Sequence, residues 1–150
     1  MTATNHALTG ALIGLAVGNP WIALPAAVAS HFICDALPHF GIGHNAAGTG
    51  WFKRLLVVEA CLCLSIVIGL AVFQPHHWLL AAGCAFLATS PDFMWINKYR
   101  RAQAGQKTPD NTIMLMRFHA TIQWFERPIG AFVEAVWAFG ALVLLKLFIV

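Results

Sequence analysis

The chain has 150 residues, of which 59% are hydrophobic and only 10% are charged, and its formal net charge at pH 7 is +3. Soluble globular domains carry charged side chains at roughly a quarter of their positions. The composition therefore excludes a soluble domain and predicts one compact integral membrane domain over residues 1–150. The sequence also contains no nucleic-acid-binding motif, no nucleophilic Ser or Cys motif and no phosphate-binding glycine loop.

Two short apolar segments open the chain, residues 6–18 and 21–37, with the turn-forming sequence Gly18-Asn19-Pro20 between them. Neither segment reaches the roughly 20 residues that a membrane-spanning helix needs, and together they exceed one span. They predict a short, tilted helical hairpin over 6–39.

A second hairpin is predicted over residues 54–93, with its turn at Gln74-Pro75-His76-His77. A polar connector leads from it into residues 111–126, where apolar side chains recur at helical spacing and predict an amphipathic helix in the membrane interface. Pro128 then opens a last apolar run, which predicts a transmembrane helix over 128–150. The expected fold class is an all-α membrane protein with two short helical hairpins, an interfacial amphipathic helix and a C-terminal transmembrane helix.

In this arrangement nearly every acidic and histidine side chain falls at one side of the membrane, and most basic residues fall there too. Those basic residues are Lys53, Arg54, Lys98, Arg100, Arg101, Lys107, Arg117 and Arg127. Because positive charge is concentrated on the cytoplasmic side of membrane proteins, residues 40–53 and 97–127 are expected in the cytoplasm. The predicted location is the bacterial inner membrane, crossed several times, with a cytoplasmic N-terminus.

The stretch SHFICDALPHF, residues 30–40, places His31, Asp35 and His39 four residues apart in apolar surroundings. At this spacing the three side chains are expected to form one stripe on a helix. An ionisable group at membrane depth costs about 2.5–3.5 kcal/mol on insertion scales, so such groups persist where they pair, bind an ion or serve a pathway. Imidazole nitrogen and carboxylate oxygen suit divalent ions. The stripe predicts a divalent metal site, with zinc as the expected ion.

A weak internal repeat extends this set. The first hairpin ends in Leu37-Pro38-His39-Phe40 and the second in Ser90-Pro91-Asp92-Phe93, while His6 and Glu59 lie at matching hairpin starts. Two parallel hairpins that face one axis would bring these side chains to one central site. The predicted metal ligands are His6, His31, Asp35, His39 and Asp92.

Activation of water is the simplest chemistry for such a site, because a bound divalent ion lowers the pKa of its water toward about 7. Glu59 is the predicted general base. Arg54, Arg100 and Arg101 are predicted to hold a substrate phosphate by forked hydrogen bonds. A membrane lipid is the expected substrate, because a site at the cytoplasmic headgroup level meets lipid phosphoesters and acyl esters first.

Structural roles stay open for these side chains. The two aspartates could cap helices or pair with arginines, and Glu59 and Glu134 could pair with each other or with a histidine. His119 and Glu126 are expected on the solvated edge of the amphipathic segment. Asp110-Asn111-Thr112 predicts a helix N-cap and nothing more.

The start Thr4-Asn5-His6-Ala7-Leu8-Thr9-Gly10 is followed by glycines at small-residue spacing and by a hairpin that ends in an Asp/Pro/His motif. This pattern resembles the bacterial inner-membrane metal-dependent hydrolase family, which is distantly akin to zinc-dependent phospholipase C. In that family a His opens the first helix and a Pro-Asp-x-Asp motif closes the second. The resemblance implies metal-ligating roles for His6 and for Asp35 with His39, although ALPHF stands here in place of Pro-Asp-x-Asp and the Pro-Asp pair occurs at Pro91-Asp92.

Three classes of function stay open at this point. A metal-dependent lipid hydrolase predicts a bound divalent ion and loss of turnover in chelator. A non-catalytic accessory subunit, as a homo-oligomer or within a membrane complex, predicts that the polar residues pair among themselves or face a partner. A metal or proton transporter ranks below both, because the far half of the hairpins offers almost no polar residues.

Overall fold

The computed structural model describes residues 1–41, 49–107 and 114–149. Its α-helices, in chain order, are α1 (Ala3–Val17), α2 (Pro20–Asp35), α3 (Gly50–Phe73), α4 (Trp78–Thr89), α5 (Ile96–Gln103), α6 (Met114–Ile122) and α7 (Gly130–Ile149). A 3-10 helix, Ser90–Trp95, joins α4 to α5. The predicted all-α class is confirmed.

The break between α1 and α2 lies where the sequence predicts it. Gly18 ends α1 with a left-handed φ of 66°, a conformation that glycine adopts without steric cost. Asn19 caps α2, since its side chain accepts a hydrogen bond from the Trp21 amide at 3.0 Å. Pro20 occupies the first turn of α2, where a missing N–H costs nothing.

Helix α1 is the central element, because it packs against α2, α3, α4 and α7. Its contact with α4 depends on two glycines: a side chain at Gly10 would overlap the Cys84 carbonyl, and one at Gly14 would overlap the Ala81 backbone. The facing positions of α4 are also small and fully buried. Small residues let two backbones approach closely, as is common between helices in membranes.

The second hairpin differs from its prediction at its end. The sequence predicts an end near Asp92 and a polar connector after it, whereas α4, the 3-10 helix and α5 follow one another from Trp78 to Gln103. Residues 96–103 contain neither glycine nor proline, so nothing in them stops a helix. Gly105, with a φ of 66°, closes the element instead.

Three helical stretches within the described ranges are long and apolar enough to cross a membrane: Gly50–Phe73, Trp78–Gln103 and Gly130–Ile149. Helix α1 is apolar but has only 15 residues, or about 22 Å at 1.5 Å per residue, against a hydrocarbon core of about 30 Å. Large apolar side chains face outward, and Val72 and Phe139 are each 70% exposed. Such a surface is consistent with a membrane protein surrounded by lipid.

The amphipathic helix ends four residues earlier than the predicted 126. Helix α6 ends at Ile122, and residues 111–113 of the predicted helix lie outside the described residues. The chain after α6 pairs instead with the chain after α2: the His39 amide donates to the Phe125 carbonyl at 3.2 Å, and the Arg127 amide donates to the His39 carbonyl at 3.1 Å. These bonds join the segment that follows α2 to the segment that follows α6.

Helix α7 begins at Gly130, two residues later than predicted, after a turn in which the Ala131 amide donates to the Pro128 carbonyl at 3.1 Å. A side chain at position 130 would overlap the His39 backbone, so this glycine permits the close approach. The predicted N-cap Asp110-Asn111-Thr112 lies outside the described residues.

Candidate metal centre

Four ionisable side chains meet at the polar end of the bundle. His31 and Asp35 lie one turn apart on α2, Asp92 comes from the 3-10 helix, and His119 comes from α6. We call these four residues the His/Asp group. Each offers one ligand atom, and these atoms all lie within 4.8 Å of one another. His31, Asp35 and His119 are buried, Asp92 is half-buried, and the group could hold a metal ion.

Asp35 is the hub of the contacts in this region. Its Oδ2 lies 2.5 Å from Nε2 of His119 and 3.1 Å from Nε2 of Gln123, and its Oδ1 lies 3.0 Å from Nε2 of His6. The backbone nitrogen of Met1 also contacts Oδ1. A carboxylate has about four lone-pair sites, so these neighbours surround Asp35 with donors on every side.

His31 has a different environment. Its Nδ1 lies 2.7 Å from the backbone carbonyl of Ala88, which can only accept, so Nδ1 carries the proton and the lone pair of the neutral ring is on Nε2. That Nε2 lies 3.4 Å from Oδ2 of Asp35 and 3.7 Å from Oδ1 of Asp92. Metal-ligating histidines usually have this arrangement: one ring N–H donates to a carbonyl or carboxylate, and the other ring nitrogen faces the metal.

His6 lies beside this group but outside it. Its ring stacks on the ring of His31, with centroids 4.0 Å apart and planes inclined by 25°. Its Nε2 is directed at Asp35, while its Nδ1 is buried and has no partner among the described residues. Four of the five predicted ligands therefore lie together: His6, His31, Asp35 and Asp92.

His39, the fifth predicted ligand, lies elsewhere, and the predicted stripe of three side chains stops at Asp35. Helix α2 ends at that residue, and Pro38, which lacks an amide hydrogen, follows shortly after. The Nδ1 atom of His39 lies 2.8 Å from the Leu37 carbonyl, and its backbone pairs with residues 125–127. The residue is buried, and its observed contacts join the segment after α2 to the segment after α6.

Glu59 contacts the start of α1. Its Oε2 accepts hydrogen bonds from the Thr4 amide at 2.8 Å and from the Thr4 hydroxyl at 2.7 Å. The first amides of a helix have no intrahelical partner, so this carboxylate caps α1. Within the part of the chain that the structure describes, Glu59 makes no hydrogen bond or ion pair to the His/Asp group.

Glu134 of α7 is buried and, like Glu59, accepts hydrogen bonds from the N-terminal segment. It accepts hydrogen bonds from the Thr2 amide at 3.0 Å, from the Phe40 amide at 2.9 Å and from Nδ2 of Asn5 at 3.0 Å. From sequence the two glutamates could pair with each other or with a histidine; in the described part of the chain each instead accepts from backbone, hydroxyl or amide donors. Both carboxylates therefore fix the position of the N-terminal segment beside the His/Asp group.

The three arginines predicted to hold a phosphate are Arg54 on α3 and Arg100 and Arg101 on α5. Their side chains are exposed, and within the described ranges none forms an ion pair with the His/Asp group. Their role in substrate binding stays a prediction.

The sequence predicts that His119 lies on a solvated edge, yet its side chain is fully buried. It contacts Asp35, and its Nδ1 accepts a hydrogen bond from the indole N–H of Trp95 at 3.2 Å. The available signal was helical spacing: Met116 and His119 are three residues apart, lie on the same face of α6 and are both buried.

No protein-family model matches the chain, and comparisons with curated proteins and with solved structures find no significant similarity. The resemblance to metal-dependent hydrolases therefore stays a prediction that rests on the motifs around His6 and Asp35.

Proposed function

We propose that this chain is a membrane-embedded metal-dependent hydrolase that acts on a lipid or another phosphoester at the headgroup level. The observation that supports it best is the convergence of three acceptor atoms. Nε2 of His31 lies 3.4 Å from the Asp35 carboxylate and 3.7 Å from the Asp92 carboxylate. The Ala88 carbonyl keeps the proton of His31 on the opposite ring nitrogen. A cation at this position would be within reach of all three acceptor atoms.

The donor set favours a divalent ion. One imidazole nitrogen and two carboxylates are ligands that zinc accepts, and zinc remains our expectation. When bound there, zinc would supply an activated water molecule, because zinc lowers the pKa of its bound water to about 7. Asp92 is only half-buried, so the site has a side from which water and a substrate can enter.

The surroundings favour a lipid as the substrate. The His/Asp group lies at the polar end of a bundle whose outer surface is apolar, where esters of lipid headgroups are the nearest hydrolysable bonds. The exposed Arg54, Arg100 and Arg101 are our candidates for the phosphate of that substrate. We place this end in the cytoplasm of a bacterium, at the inner membrane, because the basic residues are concentrated near it.

Metal analysis tests this proposal directly. We expect purified full-length protein in detergent to carry one divalent ion per chain and to hydrolyse phospholipid in mixed micelles, with activity lost in EDTA and restored by zinc. Asp35→Asn removes the charge while preserving the shape of the side chain, and it should abolish both metal content and turnover because zinc is bound by carboxylate, imidazole and thiolate groups and an amide oxygen is a much weaker ligand. Asp110→Asn, the same chemical change at a position outside the described residues, should alter neither.

A non-catalytic accessory subunit is the second candidate, and one observation favours it. Asp35 already accepts hydrogen bonds from His6, His119 and Gln123, so its carboxylate has hydrogen-bond partners without an ion. In that case purified protein contains no divalent ion above background, zinc does not raise its thermal stability, and EDTA changes nothing. Those results would reject the hydrolase in favour of the subunit.

A further inference from the structure

The indole of Trp95 determines which nitrogen of His119 carries a proton. Trp95 Nε1 is only a donor, and it lies 3.2 Å from Nδ1 of His119 with hydrogen-bond geometry. Nδ1 of His119 must therefore present its lone pair to the indole. In the neutral ring the single proton then resides on Nε2.

Nε2 of His119 lies 2.5 Å from Oδ2 of Asp35, which can only accept from it, and this contact is shorter than its 3.2 Å contacts with Nε2 of Gln123 and Nε2 of His31. A nitrogen that carries a proton has no lone pair to offer to a metal ion. His31 has the opposite arrangement, because the Ala88 carbonyl holds its proton on Nδ1, so that the lone pair of Nε2 faces the group, where Nε2 of His119 lies 3.2 Å away. The two histidines of the His/Asp group therefore have opposite tautomers, set by a donor behind one ring and an acceptor behind the other.

We infer that His119 is a positioning residue and not a metal ligand. The ligands are His31, Asp35 and Asp92, and His119 orients the Asp35 carboxylate by donating Nε2–H to Oδ2. This inference rests on the proposed function, because it assigns roles within the metal centre.

The assignment has a chemical consequence. Closed structural zinc sites use four protein ligands, whereas catalytic zinc sites use three and leave one position for water. Removing His119 from the ligand set leaves three protein ligands and one open position. Hydrogen bonds to ligating carboxylates tune a metal site, and their loss commonly costs about 10- to 100-fold in metal affinity or activity.

Substitution by glutamine distinguishes a histidine that binds the metal from one that only donates a hydrogen bond. A glutamine places an amide N–H near the position of the imidazole Nε2–H, so His119→Gln can still donate to Asp35, whereas His119→Ala cannot. We expect zinc affinity of the full-length protein, measured against a competing chelator, to stay close to wild type in His119→Gln and to fall by about 10- to 100-fold in His119→Ala. His31→Gln is the matched control and should lose zinc altogether. If His119→Gln loses zinc as His31→Gln does, His119 is a ligand and the inference is wrong.

Nitrogen-15 NMR of the wild-type protein tests the tautomers without any variant. In zinc-loaded protein labelled at histidine, long-range ¹H–¹⁵N correlations should show His119 with a protonated Nε2 and an unprotonated Nδ1, and His31 with a protonated Nδ1. A metal-bound Nε2 on His119 would overturn the inference while leaving the proposed hydrolase intact. Wild-type protein that binds no zinc would overturn both.

Discussion

Asp35 and His31 are the residues whose importance the sequence reveals most directly. Two ionisable side chains one turn apart in an apolar segment are costly unless they have partners, and both are buried beside such partners. The sequence could not place His119 or Gln123 beside them, because their approach depends on how α6 docks against α2. No local pattern encodes that docking. His39 does not join the predicted stripe, because α2 ends at Asp35 and residue 39 is no longer helical.

Glu59 offers a test at the same scale, because its predicted catalytic role and its observed contacts differ. Glu59→Gln keeps an oxygen that can accept from the Thr4 amide, so α1 should stay capped. We expect metal content and thermal stability close to wild type and only a small change in kcat/KM for phospholipid. A general base contributes about 10²- to 10⁴-fold to a rate. A loss of that size in Glu59→Gln, with full metal content, would restore Glu59 as the base.

At the level of the elements, turn chemistry allowed the helix boundaries at Gly18-Asn19-Pro20 and Gln74-Pro75 to be predicted from sequence. The continuation of the second hairpin through Gln103 does not follow from composition, because the charged residues after Asn97 indicate a connector as readily as a helix that has left the apolar phase. A helix can leave the membrane and continue in the polar phase when no glycine or proline stops it. Composition thus predicts where the apolar surface ends, and backbone chemistry predicts where the helix ends.

The close contact of α1 with α4 implies that replacing glycine at this contact lowers stability. At Gly14 a methyl group would overlap the Ala81 backbone, whereas at Gly140 nothing lies within 4 Å of the added atom among the described residues. Gly14→Ala should lower the free energy of unfolding by about 1–3 kcal/mol, because the two helices must separate. Gly140→Ala should be neutral or stabilising by up to about 1 kcal/mol, because alanine has the higher helix propensity.

Equilibrium unfolding in mixed detergent micelles measures both glycine variants under the same conditions. Equal stability of Gly14→Ala and Gly140→Ala would show that the α1–α4 contact is looser than the structure implies. Loss of bound metal in Gly14→Ala alone would be expected as well, because α1 carries His6 and α4 carries the Ala88 carbonyl behind His31.

At the scale of the whole molecule, the polar ends of the elements converge as the sequence predicts. The start of α1, the end of α2, the 3-10 helix and the start of α7 lie together, joined by contacts of Asp35 with His6, of His31 with Asp92 and of Glu134 with Asn5 and the Phe40 amide. This convergence follows from counting spans, because each hairpin returns the chain to the side from which it left. The side of the membrane on which it lies stays a prediction from the distribution of basic residues.

Cysteine labelling tests that side. In a background without native cysteines, Gln106→Cys just after α5 should react with an impermeant maleimide only when the cytoplasmic face is open, and His76→Cys in the turn between α3 and α4 only from the opposite face. Gly48→Cys, which lies outside the described residues, should behave like Gln106→Cys. Labelling of position 106 in intact cells from outside would place the His/Asp group on the other side of the membrane.

The central claim is that the His/Asp group holds a divalent ion, and a crystal structure of zinc-treated protein with anomalous data at the zinc edge tests it most directly. We predict one strong anomalous peak, about 2.0–2.2 Å from Nε2 of His31 and from carboxylate oxygens of Asp35 and Asp92. A map without a peak at this position, in which Asp35 is bonded only to His6, His119 and Gln123, would contradict the claim.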